Sequence, residues 1–289
     1  MVLALKKKEL MDEKDREILS LRTEVARLRR MLAEMSPSIE GMLKRRGFIV
    51  FRKEPQDDLL IPDAPLEINN FYESMKKYSF RLFLRDIIKH KSSIEMHHLT
   101  RFSTVDVIKG YLDFTLKAGI VKMLSRDRYQ LARIDVKSFG DTLEWFVAEV
   151  LKREYGASAV WGVKFKNTRM GGDYDVIANV EGKLLYAEIK SSPPKQIYDS
   201  EIKTFLDRVE GLTSDISIFL MDTELRMKDK IVPMFESELS RRYGKGCFPV
   251  ERMERELFHI NNRIFIINTK DSISANIGKV LIWYFRSKK

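Results

Sequence analysis

Two neighbouring runs of sequence decide the fold, Gly171-Gly172-Asp173-Tyr174-Asp175-Val176-Ile177-Ala178 and Tyr186-Ala187-Glu188-Ile189-Lys190-Ser191. Their β-branched and aromatic residues predict two short strands, Tyr174–Val180 and Leu184–Ser191. The glycine of Glu181-Gly182-Lys183, which lies between them, predicts a hairpin turn. We therefore expect the two runs to pair as neighbouring strands.

The predicted hairpin carries charged residues at alternate positions. Because side chains alternate between the faces of a strand, Glu188 and Lys190 share one face and the intervening apolar residues take the other. Asp173 and Asp175 likewise lie on one side of the first strand. Carboxylates gathered by strand pairing bind Mg²⁺, which prefers oxygen ligands. A neighbouring ammonium can orient a metal-bound water or stabilise the charge of a phosphate under attack.

A Glu-x-Lys pattern alone has little weight as a functional signal. Glu201-Ile202-Lys203 repeats it a few residues later, in a predicted helix. On a single strand, such a pair is usually a solvated face with a local ion pair. The preceding aspartate, the double glycine and the apolar flanks favour a functional site at Glu188 and Lys190.

The combination of Asp175 with Glu188 and Lys190 resembles the core motif of the PD-(D/E)XK nucleases. It is most similar to the branch that contains Mrr-type restriction endonucleases and archaeal Holliday junction resolvases. That branch carries a glutamate shortly after a glycine on a helix before the strands, and Gly140-Asp141-Thr142-Leu143-Glu144 matches this pattern. Tyr174 stands where many members have a proline. The resemblance covers the second half of the chain.

The resemblance implies metal-assisted hydrolysis of phosphodiester bonds. Asp175, Glu188 and the backbone carbonyl of Ile189 would ligate Mg²⁺ or Mn²⁺. Lys190 would position or activate the attacking water, and Glu144 would bind a second ion or orient a metal-bound water. Because an isolated lysine with a pKa of about 10.4 is a poor base, we assign Lys190 an electrostatic role.

The choice of Glu144 over Glu149 follows from helical geometry. At about 100° per residue, the predicted helix Asp141–Tyr155 gathers its apolar residues into one stripe, and Glu144 lies at its edge. Glu149 lies away from the stripe beside two basic residues, which is typical of a solvated charge pair.

Composition favours a polyanionic partner. The chain has 289 residues, of which 44% are hydrophobic, with a net charge of +10 and a pI near 9.4. Charge alone does not separate nucleic acid from an anionic membrane, but no apolar run approaches the roughly 20 residues of a membrane span. The single cysteine, Cys247, excludes an intramolecular disulfide and a cysteine zinc site. We expect a cytoplasmic protein that does not enter a membrane.

The N-terminal segment, residues 1–36, predicts a coiled-coil helix. Its apolar residues follow alternating spacings of three and four, interrupted by Lys14, and a proline first occurs at Pro37. The seam consists of Met11, Ile18, Leu21, Val25, Leu28, Leu32 and Met35. We expect a parallel homodimer; the alternative is an amphipathic helix packed on its own chain.

Residues 37–70 predict a linker or small subdomain to which the sequence assigns no function. A helix at Ile39–Arg46 and a strand at Gly47–Phe51 precede Pro55, Pro62 and Pro65.

Residues 71–134 predict a winged helix-turn-helix. The expected elements are a helix at Ser79–His90, a second helix capped by Ser92 or Ser93, a third from Ser103 or Thr104 to Lys117, and strands at Ile120–Leu124 and Tyr129–Ala132. Such domains place the third helix in the major groove of DNA and the wing on its backbone. The candidate DNA contacts are Lys109, Lys117, Arg126 and Arg128. The alternative is a protein-interaction module, because Asp106 and Asp113 reduce the basic character of the third helix.

Packing or capping is expected for His97 and His98 rather than metal binding.

The remaining chain alternates helix and strand, which predicts an α/β fold with a mixed sheet flanked by helices. The expected elements are helices at Asp199–Glu210, Asp229–Tyr243 and Ser272–Lys288 and strands at Ile216–Asp222 and Ile264–Thr269. Residues 138–289 would form this restriction-endonuclease-like core, preceded by the winged helix and the coiled coil. Lys195 and Gln196, just after the hairpin, are further candidate contacts to DNA.

The leading hypothesis is a Mg²⁺-dependent DNA endonuclease that dimerises through its N-terminal helix. One alternative is a DNA-binding regulator or scaffold whose nuclease fold is catalytically silent. Another is a coiled-coil adaptor that binds anionic lipid or protein. The sequence leaves duplex, junction and modified DNA open as substrates, together with RNA, and it leaves both restriction and repair open as roles.

Overall fold

The computed structural model describes residues 17–18, 20–31, 37–166 and 171–287. Its helices are α1 (20–31), α2 (Ile39–Arg45), α3 (Pro65–Met75), α4 (Tyr78–Lys89), α5 (Met96–Leu99), α6 (Val105–Lys117), α7 (Gly140–Tyr155), α8 (Asp199–Leu212), α9 (Ile231–Tyr243) and α10 (Ile273–Arg286). Its strands are β1 (Val50–Arg52), β2 (Ile94–Glu95), β3 (Val121–Ser125), β4 (Arg128–Leu131), β5 (Ser158–Phe165), β6 (Tyr174–Val180), β7 (Lys183–Lys190), β8 (Ile216–Met221), β9 (Glu251–Glu254), β10 (Leu257–Ile260) and β11 (Ile264–Ile267).

An eight-stranded sheet organises the molecule, in the order β1-β5-β6-β7-β8-β11-β10-β9. The strands β7 and β8 are parallel, as are β8 and β11, whereas the other neighbours are antiparallel. The helices α7 and α10 contribute to the core on one face, and α8 and α9 contribute on the other. The predicted α/β fold with a mixed sheet flanked by helices is thus confirmed.

The central hairpin has a tight two-residue turn. Glu181 and Gly182 both have positive φ angles, of 50° and 77°, which is the backbone of the type I′ turn that matches the twist of paired strands. The turn sets the register in which Val180 pairs with Lys183 and Val176 with Ala187. This register brings the start of β6 to the end of β7.

Both faces of β7 are buried, which corrects the expected division into one charged and one apolar face. Leu185 and Ala187 pack into the core on the α7 side, while Leu184 and Tyr186 pack into the core on the α8 side. A central strand covered by helices on both faces has few solvated positions. The charged residues of β7 lie at or near its two ends, and only the terminal ones are partly exposed.

Residues 37–70 do not form a separate linker. The strand β1 pairs with β5 as the edge of the main sheet, and α2 packs Met42 and Leu43 into its core. In the proline-containing stretch Leu60 is buried, and its N–H donates a hydrogen bond to Oγ1 of Thr142 at 2.9 Å. Pro65 is the first residue of α3, where a missing N–H costs nothing. Packing fixes this segment against α7.

The segment 71–134 contains α4, α5 and α6 and a three-stranded sheet in the order β2-β4-β3. The elements occur in the order that the sequence predicts for a winged helix-turn-helix, and that assignment stays a prediction. The expected serine cap of the second helix is wrong, because Glu95 is the N-cap of α5. Its backbone N–H donates to Nδ1 of His98, which is a capping role for that histidine.

The helix α1 exposes its apolar seam. Ile18, Leu21, Val25 and Leu28 are between 46% and 58% exposed. A groove of about 1390 Å³ lies between three of them, Ile18, Leu21 and Val25, and the chain around the start of β5. The other seam positions, Met11, Leu32 and Met35, lie outside the described residues. The coiled-coil dimer stays a prediction.

Over the residues described, no helix combines the length and apolar character needed to cross a membrane.

Candidate active site

The predicted site residues come from three elements that meet at one edge of the central hairpin. Asp175 lies at the start of β6, Glu188 and Lys190 lie at the end of β7, and Glu144 lies in the first turns of α7. The hairpin register places the start of β6 beside the end of β7. The structure therefore brings together all four residues that the sequence selected as catalytic.

Glu188 is buried and fully engaged. Its Oε1 accepts a hydrogen bond from Nζ of Lys190 at 2.8 Å, and its Oε2 accepts one from Arg208 at 2.9 Å and another from the hydroxyl of Tyr186. Burial alone would raise the pKa of Glu188, but the charges of Lys190 and Arg208 and these hydrogen bonds outweigh burial and lower it. Glu188 is therefore a carboxylate held between two cations.

Asp175 is oriented by the backbone of the opposite strand. Its Oδ2 accepts a hydrogen bond from the N–H of Ile189 at 2.6 Å. Burial and the charge of Glu188 raise the pKa of Asp175 well above its usual value. The nearby charges of Lys190 and Arg208 lower this pKa but do not outweigh burial and the charge of Glu188.

Glu144 adds a further acidic group to the same site. Burial and then the charges of Asp175 and Asp141 raise the pKa of Glu144 well above its usual value. Among the residues that the structure describes, no hydrogen-bond donor or cation is paired with the Glu144 carboxyl. The site thus holds acidic side chains in excess of its cations.

A divalent cation fits the chemistry of this donor set. The oxygens of Glu144 and Oδ1 of Asp175 have no partner within the described part of the chain, and hard carboxylate oxygens are the ligands of Mg²⁺. In this conformation the same part of the chain contains no three Asp, Glu, His or Cys side chains arranged to hold a metal. In the same conformation both oxygens of Glu188 are paired with protein cations. Ligation by Glu188 and by the carbonyl of Ile189 stays a prediction.

Lys190 stays protonated in this environment. Its Nζ lies 2.8 Å from Glu188 and 3.3 Å from Glu201. Burial would lower the pKa of Lys190, but the charges of Glu188 and Asp175 outweigh it and raise the pKa above its usual value. The geometry favours an electrostatic role over a role as general base.

Arg208 is a site residue that sequence reasoning missed. It lies on α8, is 7% exposed, and pairs with Glu188 on the side opposite Lys190. Its guanidinium lies 5.0 Å from the centroid of the Tyr174 ring and donates a hydrogen bond to the carbonyl of Gly171 at 3.4 Å. Helical spacing gives one signal that could have found it, because Glu201 and Arg208 are two turns apart on one face of α8.

The double glycine before β6 makes room for Arg208. Gly172 has a φ of +96°, and a Cβ built there would lie 2.5 Å from Nη2 of Arg208. A Cβ built at Gly171 has no atom of the described residues within 4 Å. Of the two glycines, Gly172 is therefore required both by its backbone conformation and by the close approach of the guanidinium.

Tyr174, which stands where related motifs have proline, belongs to the core. Its ring is fully buried and packs against Phe165 and Tyr186. Its hydroxyl has no hydrogen-bond partner in the part of the chain that the structure describes. This position gives Arg208 an aromatic face to lie on, in place of the rigid turn that a proline would give.

The predicted DNA contacts lie in two places. Lys109 and Lys117 are exposed on α6, Arg126 is exposed in the β3–β4 turn, and Arg128 donates to Oγ of Ser93 at 3.0 Å. No contact of the described residues joins them to the carboxylates. Lys195 and Gln196 are instead exposed on the loop that leaves β7 directly after Lys190.

The chain is similar in fold to two solved structures. One is Can2 from Sulfobacillus thermosulfidooxidans in complex with cyclic tetra-adenylate (cA4), with 16% identity, a TM-score of 0.50, and coverage of 86% of this chain and 60% of that chain. The other is protein VC1899 from Vibrio cholerae, with 12% identity, a TM-score of 0.50, and coverage of 86% and 62%. The chain thus spans less than two thirds of either protein, and at these identities the likeness concerns the fold alone. No protein-family model matches the sequence, and neither does any curated protein.

Proposed function

We propose that the protein is a metal-dependent DNA endonuclease of the PD-(D/E)XK type, using Mg²⁺ or Mn²⁺. The observation that carries this proposal is the meeting of Asp175, Glu188 and Lys190 at adjoining strand ends with Glu144 from the preceding helix. Two carboxyl groups with raised pKa values beside a lysine ammonium form a site for a cation and a phosphate together.

Each residue has a distinct task in this proposal. Asp175 and Glu144 supply oxygens to the metal, and the N–H of Ile189 fixes the orientation of Asp175. Glu188 holds Lys190 so that its ammonium stabilises charge on the phosphate under attack. When bound, Mg²⁺ or Mn²⁺ lowers the pKa of a bound water and offsets the charge of the phosphate.

The basic charge and the segment 71–134 support DNA as the substrate. A net charge of +10 attracts a polyanion, and Lys109, Lys117 and Arg126 are exposed on α6 and the β3–β4 turn. Arg128 is partly committed to Glu95, with 3.8 Å between the charged atoms, so it is the weakest of the four candidates. Homodimerisation through the exposed seam of α1 would present two sites to one duplex.

The alternative with a specific observation behind it is a catalytically silent DNA-binding regulator. Both oxygens of Glu188 are occupied by protein groups, and a site locked in this state would bind DNA without cutting it. Cleavage separates the endonuclease from the silent regulator. Both would bind DNA with a steep dependence on salt, but only the endonuclease would cut it.

The test is cleavage of plasmid, linear and junction DNA with Mg²⁺, Mn²⁺ or EDTA. We expect metal-dependent cleavage that is lost in Lys190→Ala and Asp175→Ala. Glu144→Gln and Glu149→Gln form a matched pair on α7, because Glu149 pairs with Lys152 and Arg153 instead of facing the site. Only the first should lose activity. Since Can2 was determined with cA4, each assay is repeated with added cA4.

Thermal unfolding gives a second readout that does not need a substrate. A metal that binds only the folded protein raises its melting temperature, so Mn²⁺ should stabilise the wild type and leave Asp175→Ala unchanged. DNA binding without cleavage on any substrate, with no metal-induced stabilisation, would favour the silent regulator.

A further inference from the structure

The loop that follows β7 is a fixed platform beside the candidate site. It contains Pro193 and a single 3-10 turn, Pro194–Gln196, and it buries Ile197. Nζ of Lys230 donates hydrogen bonds to the carbonyls of Lys195 and Ile197, at 3.1 and 2.8 Å. Because its backbone and its buried residue are anchored, the loop holds in place the backbone positions from which its exposed side chains project.

Tyr198 is the aromatic residue that this platform presents. It is 69% exposed, the highest value among the large hydrophobic side chains of the described residues. An aromatic ring left in water on an anchored backbone loses little conformational freedom when a ligand packs on it. Such a ring is suited to binding a flat ligand.

Tyr198 is connected to Lys190 by two successive contacts. Its N–H donates to Oε2 of Glu201 at 3.0 Å, and Oε1 of Glu201 lies 3.3 Å from Nζ of Lys190. The backbone of Tyr198 is therefore tied through Glu201 to the group that would contact the phosphate, and the exposed ring projects from this point. Lys195 and Gln196 are exposed on the same loop, and within the described residues no carboxylate is paired with the Lys195 ammonium.

We propose that Tyr198 stacks on an unpaired base next to the phosphate bound at Lys190, with Lys195 on the strand backbone. Aromatic rings bind every base through its flat face, whereas bases within an intact duplex are already stacked on their neighbours. The substrate class is therefore a nucleic-acid strand with exposed bases, such as a single strand, a flap or the open part of a junction. This inference rests on the proposed function for the identity of the phosphate site.

The test is binding measured in EDTA, so that no strand is cut. Fluorescence anisotropy is recorded with a short oligo-dT strand, an oligo-U strand and a duplex of equal length. Tyr198→Ala should weaken binding of the single strand about tenfold, Tyr198→Phe should keep most of the affinity, and duplex binding should stay unchanged. Ile282→Ala, which alters another exposed side chain on α10, should change neither.

A measurement of base stacking separates stacking by Tyr198 from nonspecific binding. A strand carrying the fluorescent base aminopurine should be quenched by the wild type and by Tyr198→Phe but not by Tyr198→Ala. Unchanged single-strand binding in Tyr198→Ala, an equal loss with duplex, or no measurable single-strand binding by the wild type would each overturn the proposal. If Tyr198→Ala loses stacking but the wild type cleaves no substrate, the base-binding site is supported and the nuclease function is rejected. If the wild type cleaves and Tyr198→Ala changes neither binding nor cleavage, the nuclease function is supported and the base-binding site is rejected.

Discussion

Gly172→Ala tests the packing that orients Glu188. Gly172 has a φ of +96°, and the added Cβ would lie 2.5 Å from Nη2 of Arg208. Real Cβ atoms do not approach another heavy atom this closely, so the guanidinium must move. The same guanidinium donates to Glu188 at 2.9 Å, and a displaced Arg208 leaves that buried carboxylate with only Lys190 and Tyr186.

The expected loss of stability has two parts. An alanine at this φ angle costs about 1–3 kcal/mol in backbone strain. Complete removal of one partner from a buried ion pair costs about 3–5 kcal/mol, and displacement of Arg208 forfeits a fraction of that. We therefore expect Gly172→Ala to lower the free energy of unfolding by about 2–5 kcal/mol, measured by urea denaturation in EDTA.

Gly171→Ala is the matched control. A Cβ at Gly171 meets no atom of the described residues within 4 Å, and its φ lies outside the left-handed region, so the free energy of unfolding should change by about 0.5 kcal/mol or less. In an Arg208→Ala background Gly172→Ala should cost only the backbone strain, which a double-mutant cycle resolves. Equal effects of the two glycine substitutions, or additive effects in the cycle, would refute this account of the double glycine.

Three further outcomes follow from the structure. Asp222→Ala leaves the buried guanidinium of Arg81 without its carboxylate, so urea denaturation should show a loss of about 3–5 kcal/mol. In metal-free protein Glu144→Gln should raise the free energy of unfolding, and more at about pH 8 than at about pH 5. Because the pKa of Glu144 is raised in the folded protein, the folded protein keeps a proton at pH values above 4.5, the usual pKa of glutamate, where the unfolded chain releases it. The free energy of unfolding of the wild type therefore falls as the pH rises from 4.5 towards the raised pKa. Leu21→Glu with Leu28→Glu should convert the expected dimer to a monomer in sedimentation equilibrium, because both side chains are exposed on α1.

Each of these outcomes has a control within the chain. Asp135→Asn removes an exposed ion pair with Arg133 and should leave the midpoint of urea denaturation unchanged, because solvent screens such a pair. Glu149→Gln should not reproduce the dependence on pH. Arg30→Glu alters α1 away from the predicted seam and should leave the oligomeric state unchanged. A wild-type protein that is already monomeric would contradict the predicted coiled coil.

The hairpin and the four acidic and basic residues could be predicted because their signals are local. Strand alternation, a glycine turn and the spacing of Glu144 from Gly140 all lie within short windows of sequence. The strand β5 was missed because Gly162, with a φ of 56°, interrupts the alternation. A Cβ built at Gly162 would lie 2.4 Å from Cδ of Pro55, so only glycine lets Pro55 pack this closely. Pro55 belongs to residues 37–70, the segment that was predicted to be a linker because of its prolines.

The role of Arg208 could not be predicted because it depends on two distant elements meeting. Its spacing from Glu201 places both on one face of α8, but nothing near it in sequence shows which strand that face meets. Only the packing of α8 over the end of β7 brings its guanidinium to Glu188, and only the backbone of Gly172 leaves space for it. Motif spacing thus locates the groups that touch a metal or phosphate, whereas the groups that hold them in place are determined by tertiary packing.

The connection between the segment 71–134 and the site is also a matter of packing, and it constrains the proposed function. Asp222 follows β8, and its N–H donates to the carbonyl of Lys190 at 2.8 Å. Its carboxylate accepts from Nε of Arg81 on α4 at 2.9 Å, and both side chains are almost completely buried. A buried ion pair is costly to separate, so this contact ties α4 to the end of β7. If α6 and the β3–β4 turn bind DNA as proposed, the distance from that contact to the cleaved phosphate is set by this ion pair and by the core that α4 and α6 share with α7, not by a flexible linker.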